Sequence, residues 1–243
     1  TKDILMDWVK QGGTLIANNR STRSIISNDI GSVKSLNNTF DKSKNFSFDL
    51  MREIYSREEY IDISDANVNI VNTEITYPWE TTDITYSKEE LEMRDKWQST
   101  LMPSGGIVSA RADNEHWLTF GTEDVVPVLY GNYPILMTGG NSEAALRIGE
   151  LLPNKESETK TINWSQIPSG YDLSVRMSGL VWPEASQRIA NSAYLTREKI
   201  GKGQIILFSG EPNFRGSALG TNRLWLNAVV YGSGLGTNSL VTP

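Results

Sequence analysis

With 243 residues, 38% of them hydrophobic, the chain is long enough for one large domain or two small ones with a proper core. Its net charge of −6 excludes the clustered basic surplus of a general nucleic-acid binder. The absence of cysteine removes disulfides, thiolate metal sites and cysteine nucleophiles together. No apolar run approaches the roughly 18 residues of a membrane span. A start at Thr1, without an initiator methionine or signal peptide, reads as a piece excised from a longer protein.

Ile4, Leu5, Trp8 and Val9 recur at helical spacing, and Gly12-Gly13 supplies a stop. Thr14 to Ala17 follows as a short buried strand, the αβ step of a doubly wound sheet. Residues 18–48 are polar with a helical signal over 23–36. Residues 49–62 read as a helix, and 65–84 lean towards β structure, with Pro78 at an edge or loop. Ser87 with Glu90 three residues on is a capping box that predicts a helix over 88–101. Ile107, Val108 and Ala110 then form a strand, 117–120 an apolar patch, and 125–137 two short strands punctuated by Pro127, Gly131 and Pro134.

The stretch 154–172 reads as a polar connector. Beyond it come a strand, a helix starting at Pro183 or Glu184, and an extended segment. Gly201-Lys202-Gly203 turns the chain into Ile205 to Phe208, a strand buried on both faces. The last helix takes Thr221 as its N-cap and carries Leu224, Trp225, Ala228 and Val229 on one stripe. A single sheet-and-helix core is expected from Trp8, Leu15, Ile16, Val181, Trp182, Ile205, Ile206, Leu207, Phe208, Leu224 and Trp225.

Chemistry-bearing patterns are sparse. His116 is the only histidine, so a zinc site of three or four His, Cys, Asp or Glu ligands cannot be assembled around it in the usual way. No G-x-S-x-G elbow presents a serine to it, and it reads as a structural residue beside Trp117. Glu58-Glu59, Glu89-Glu90-Glu92 and Glu156-Glu158 lie on solvated stretches. Asp62, Ser64, Asp65, Asn67 and Asn69 mimic calcium ligands but lack the turn glycine and the closing glutamate. Gly201-Lys202-Gly203 precedes its strand, whereas a phosphate loop follows one.

Several stretches together resemble one known sequence type: LMDWVKQGGTLIA, DNEHWLTFG, VPVLY, SGLVWPEASQRIANSAYLTREKIGKGQIILFSGEPNFRG and GTNRLWLNAVVYG. They are similar to the C-terminal, class I glutamine amidotransferase-like domain of large bacterial secreted zinc carboxypeptidases of the metallocarboxypeptidase family. The resemblance is densest over 178–232, and residues 18–100 match poorly, as an insertion would. It implies a single domain over 1–243, an α/β flavodoxin-like three-layer sandwich with irregular insertions. In amidotransferases the first strand leads into a turn carrying the nucleophilic cysteine, and a catalytic histidine follows a late strand. Here the matching turn holds Asn18, Asn19 and Arg20, and the late strand runs into Ser209-Gly210-Glu211. Neither a thiol nor an imidazole is present, which excludes amidotransferase chemistry on residue type. The zinc-binding residues of such peptidases belong to the preceding catalytic domain.

The resemblance therefore implies a non-catalytic accessory domain, without cofactor or metal of its own, secreted or periplasmic. Its partners would be the N-terminal peptidase domain of the same polypeptide and, as a second partner, peptide substrate, not nucleic acid or a membrane. The alternative is an independent small-molecule or peptide-binding domain with a degenerate amidotransferase pocket. Candidate ligand-binding residues are Glu211, Asn213, Arg215 and Arg223, because open α/β sheets bind ligands at the carboxyl ends of strands. Arg215 is expected either to clamp a carboxylate or to fold back onto Glu211 or a nearby carbonyl. An exposed apolar patch would favour the accessory role, and a closed pocket around Arg215 the binding role.

Overall fold

The computed structural model describes residues 2–36, 87–162, 165–235 and 237. The helix expected over 49–62, the β-leaning stretch 65–84 and the calcium-like cluster from Asp62 to Asn69 lie outside them. The chain opens with helix α1 (Lys2–Lys10), strand β1 (Thr14–Asn18) and helix α2 (Asn19–Ser27). Gly12, at φ 125°, makes the stop that the Gly-Gly pair predicts. Helix α3 (Lys88–Ser99) begins at the expected capping box: the Ser87 hydroxyl accepts from the Glu90 amide and the Glu90 carboxylate accepts from the Ser87 amide.

The described part of the main sheet has nine strands. Its path runs β1, β13 (Gly203–Phe208), β12 (Ala193–Ile200), β6 (Ser142–Ile148), β3 (Gly106–Ala112), β11 (Arg176–Ser178). Strand β4 (Val125–Tyr130) pairs with β3, and β5 (Leu136–Met137) joins β12 to β2 (Lys34–Ser35). Only β1 and β13 pair in parallel among these strands; the other ladders are antiparallel. The β12–β13 connection explains part of this, because two residues, Gly201 at φ 61° and Lys202, can only reverse the chain. The molecule is therefore a mixed α/β structure whose sheet is mixed.

Side chains on β13 alternate between two cores, one on each face of the sheet. Ile205 and Leu207 join Val9, Ile26 and Val33 under α1 and α2. Ile206 and Phe208 join Leu118, Leu195, Ile189 and Leu224, under helix α4 (Pro183–Ile189) and helix α5 (Leu219–Tyr231). The expected single core is thus two, because an inner strand of a sheet points successive side chains to opposite sides. Trp225 is partly buried and tilts against Phe208 at 5.6 Å between ring centroids.

Two residues expected in the core, Trp8 and Trp182, lie largely outside it, and Val229 leaves the stripe assigned to it. Trp8 is 49% exposed: its indole covers Gly13, where a Cβ would come within 2.5 Å of the ring, and its outer face meets solvent. Trp182 is the N-cap of α4, before the helix enters the core, and Val229 turns outward on α5. Thr221 is not the N-cap of α5, which starts after Ala218. It is buried inside the helix, where its hydroxyl donates to the Pro212 carbonyl and ties the preceding loop down.

The polar stretch 154–172 carries structure the sequence hides. Strand β7 (Glu150–Pro153) pairs with β10 (Tyr171–Ser174), and β8 (Lys160–Ile162) with β9 (Ser165–Ile167). Asp172 accepts from Asn154, Lys160 and Ser157, and those bonds hold its carboxyl down at about 2. The apolar residues that turn inward, buried Ile167 and partly buried Leu173, fall one to a strand, so hydrophobic alternation never signals the strands.

Candidate functional site

Strands β1 and β13 end side by side, and the chain leaves each through a polar turn. After β1, Asn19 takes φ 41°, a left-handed conformation that asparagine tolerates better than most residues. Its side-chain amide donates to Glu211 Oε1 at 2.9 Å, across 192 residues of sequence. Thr22, one turn into α2, donates to the Phe208 carbonyl at 2.8 Å and fixes the helix against the end of β13. The Ser209 hydroxyl donates to the Pro134 carbonyl at 2.7 Å, bringing the turn after β4 to the same place. Gly210 leaves room for Tyr133, whose ring would lie 2.7 Å from a Cβ there. Burial, and then the charge of Glu211, raise the phenol of Tyr133 above its ordinary value, so it stays protonated and can donate.

The four residues proposed from sequence do not form one constellation. Glu211 is engaged by Asn19. Asn213 and Arg215 stand exposed on the loop that follows, where Arg215 adopts φ 52° and lies over the Phe214 ring at 5.1 Å. Among the described residues none hydrogen-bonds or pairs with Arg215, so the fold-back onto Glu211 does not occur: the left-handed turn aims the side chain along the surface. Arg223 is exposed on α5 and rests beside Gly121. Asn213, Arg215 and Arg223 are not among the residues that line the cleft beside this turn.

Arg23, Asn132, Tyr133 and Arg188 line a cleft next to this turn, and sequence reading passed over all four. Only Asn19 carried a signal, its place directly after a buried strand. The others come from three separate segments, which no spacing rule connects.

His116 is buried against Trp117, 5.8 Å between ring centroids. Its Nδ1 accepts from the Leu118 amide at 3.1 Å, leaving the ring proton on Nε2, which lies 3.5 Å from Glu143 Oε2. At that separation Nε2 makes no well-formed hydrogen bond, and the contact is chiefly electrostatic. Arg197 donates to the same carboxylate oxygen at 3.3 Å. The His116 ring, followed by the Arg197 charge, holds the Glu143 carboxyl at about 2 against an ordinary 4.5. A depressed folded-state value stabilises the fold above the unfolded value and is lost as pH falls through the folded one. Between about pH 4.5 and 2, wild-type stability should therefore fall more steeply than that of Glu143→Gln in chemical denaturation. Parallel curves for the two proteins would mean that Glu143 is not held down by these neighbours.

Among the described residues no group of three His, Asp or Glu is arranged to hold a metal ion, and no helix is long and apolar enough to cross a membrane. Comparison with family models, curated proteins and solved structures found no match.

Proposed function

We propose that this chain is a non-catalytic accessory domain of a secreted or periplasmic zinc carboxypeptidase, packing on or assisting the peptidase domain of the same polypeptide. The observation that carries the reading is the outer face of α5. Leu226, Val229 and Val230 are 55%, 51% and 61% exposed, and Leu219, two turns earlier on the same side, is 82% exposed. Leu226, Val229 and Val230 are neighbours at spacings of three and four and form one apolar patch, from which exposed Arg223 separates Leu219. An exposed apolar patch on a helix marks a docking surface.

The amidotransferase-like part of the proposal rests on α1, β1 and α2 leading into β13 and α5, with the two parallel strands side by side. In that arrangement Asn19 occupies the nucleophile's turn and Glu211 the turn after the late strand. Bonded to each other at 2.9 Å, they are a satisfied polar pair and not a nucleophile with its base. Zinc belongs, in this reading, to the peptidase domain.

The test adds Leu226→Asp and Val230→Asp together. Both side chains are exposed, so the melting temperature of the chain should hold within a few degrees, while binding to the separately produced peptidase domain weakens at least tenfold. The chain alone, refolded with zinc, should retain no stoichiometric metal by elemental analysis and cleave no C-terminal residue from peptides. Unchanged binding in the double variant, or tightly held zinc, sinks the proposal.

A further inference from the structure

Between α2, β2 and the turn after β4 lies an open cleft of about 290 Å³. That is at the lower end of the roughly 300–1,000 Å³ typical of small-molecule sites, which suits a ligand the size of an amino acid or dipeptide terminus. Buried Ile26 and Ile135 floor it, and Arg23, Asn132, Tyr133 and Arg188 supply its polar wall. Among the described lining residues there are two guanidiniums and no carboxylate.

The guanidiniums differ in what they have left to offer. Arg188 gives Nε to Asp95 Oδ1 at 2.7 Å and Nη2 to Asp95 Oδ2 at 3.2 Å, a two-point pair whose side chains are each 11% exposed. The pair fixes the plane of Arg188, cancels its charge, and uses one edge of the fork, leaving Nη1. Arg23 is exposed at the mouth and gives Nη2 to the Asn132 carbonyl at 3.1 Å, keeping its full charge. The protonated Tyr133 phenol is a further donor. The neighbouring acid, Glu211, accepts from the neutral Asn19 amide, which does not cancel its charge, and that charge acts on Tyr133.

We propose that this cleft binds a carboxylate on a small ligand, the C-terminus of a peptide or a free amino acid, with Arg23 as the charge partner and Arg188 and Tyr133 as orienting donors. Arg23 is the lining guanidinium without a carboxylate partner, and the Glu211 charge beside Tyr133 repels a dianion more than a monoanion, so a monoanion fits better than a phosphate dianion. The inference does not depend on the accessory role, since it is measured on the chain alone.

Calorimetric titration of the purified chain would use N-acetylalanine, alanine, N-acetylalaninamide and inorganic phosphate as probes. N-acetylalanine or alanine should bind saturably, the tighter of the two identifying the source of the carboxylate. The amide and phosphate should bind at least tenfold more weakly. Arg23→Ala should weaken carboxylate binding at least tenfold with unchanged melting, Tyr133→Phe should weaken it less, and Arg215→Ala should leave it unaltered. Equal binding of acid and amide, tighter binding of phosphate, full affinity in Arg23→Ala, or no saturable binding of either carboxylate would each overturn the proposal.

Discussion

Gly203→Ala is expected to destabilise the chain by about 3 kcal/mol or more, the upper range for overpacking a tight site. A Cβ on residue 203 would sit 2.0 Å from the Val9 carbonyl oxygen and 2.3 Å from that of Gly13. Both obstacles are backbone, so no side chain can swing aside. Both carbonyls are also in use: Val9 accepts from the Gly12 amide at 2.9 Å and Gly13 from the Gln204 amide at 3.1 Å. Relief requires α1 to move off β13, which would open the core around Val9, Ile205 and Leu207. Gly105→Ala is the control, since its Cβ would meet only Leu129 Cδ1 at 4.0 Å. Denaturant unfolding of the two variants should separate them clearly. A loss below about 0.5 kcal/mol at position 203, the size of an ordinary surface change, would show that α1 is not seated on this strand.

The second large effect is expected at Asp95. Asp95→Ala should cost about 3 kcal/mol, the lower end for breaking a buried pair, because it leaves a largely buried Arg188 guanidinium unpaired although that group also borders the open cleft. The pair joins α3 to α4, assisted by Gln98, which donates to Gln187 at 3.3 Å. Replacing both partners, as Asp95→Leu with Arg188→Met, should recover most of the loss, because the penalty lies in the unpaired charge and less in the missing bond. A double-mutant cycle by denaturant unfolding measures this. If the double variant is as unstable as the sum of the singles, the coupling is absent and α3 is held by something else.

That same helix shows where sequence patterning misleads. On α3 the residues turned inward are Asp95 and Gln98, while Met93 and Trp97 are 65% and 57% exposed. A rule that apolar residues mark the inner face places this helix backwards, and only the partners on α4 explain why the polar face is satisfied. Trp8 and Trp182 mislead for a related reason. A large ring satisfies helical spacing, yet a helix end has no second layer to cover it.

What the sequence determined alone was local. The capping box at Ser87, the Gly-Gly stop after α1, the glycine turn into β13 and the doubly buried run of β13 itself each act within a few residues, where propensity and backbone geometry decide. The mixed α/β class follows from those elements. The tertiary structure decided the rest. Asn19 meets Glu211 from 192 residues away, Arg188 meets Asp95 from 93, and the Arg23 cleft draws on segments that no spacing relates. It also set the antiparallel ladders and the outward patch of α5, because pairing direction and exposure depend on which surfaces the folded chain brings together.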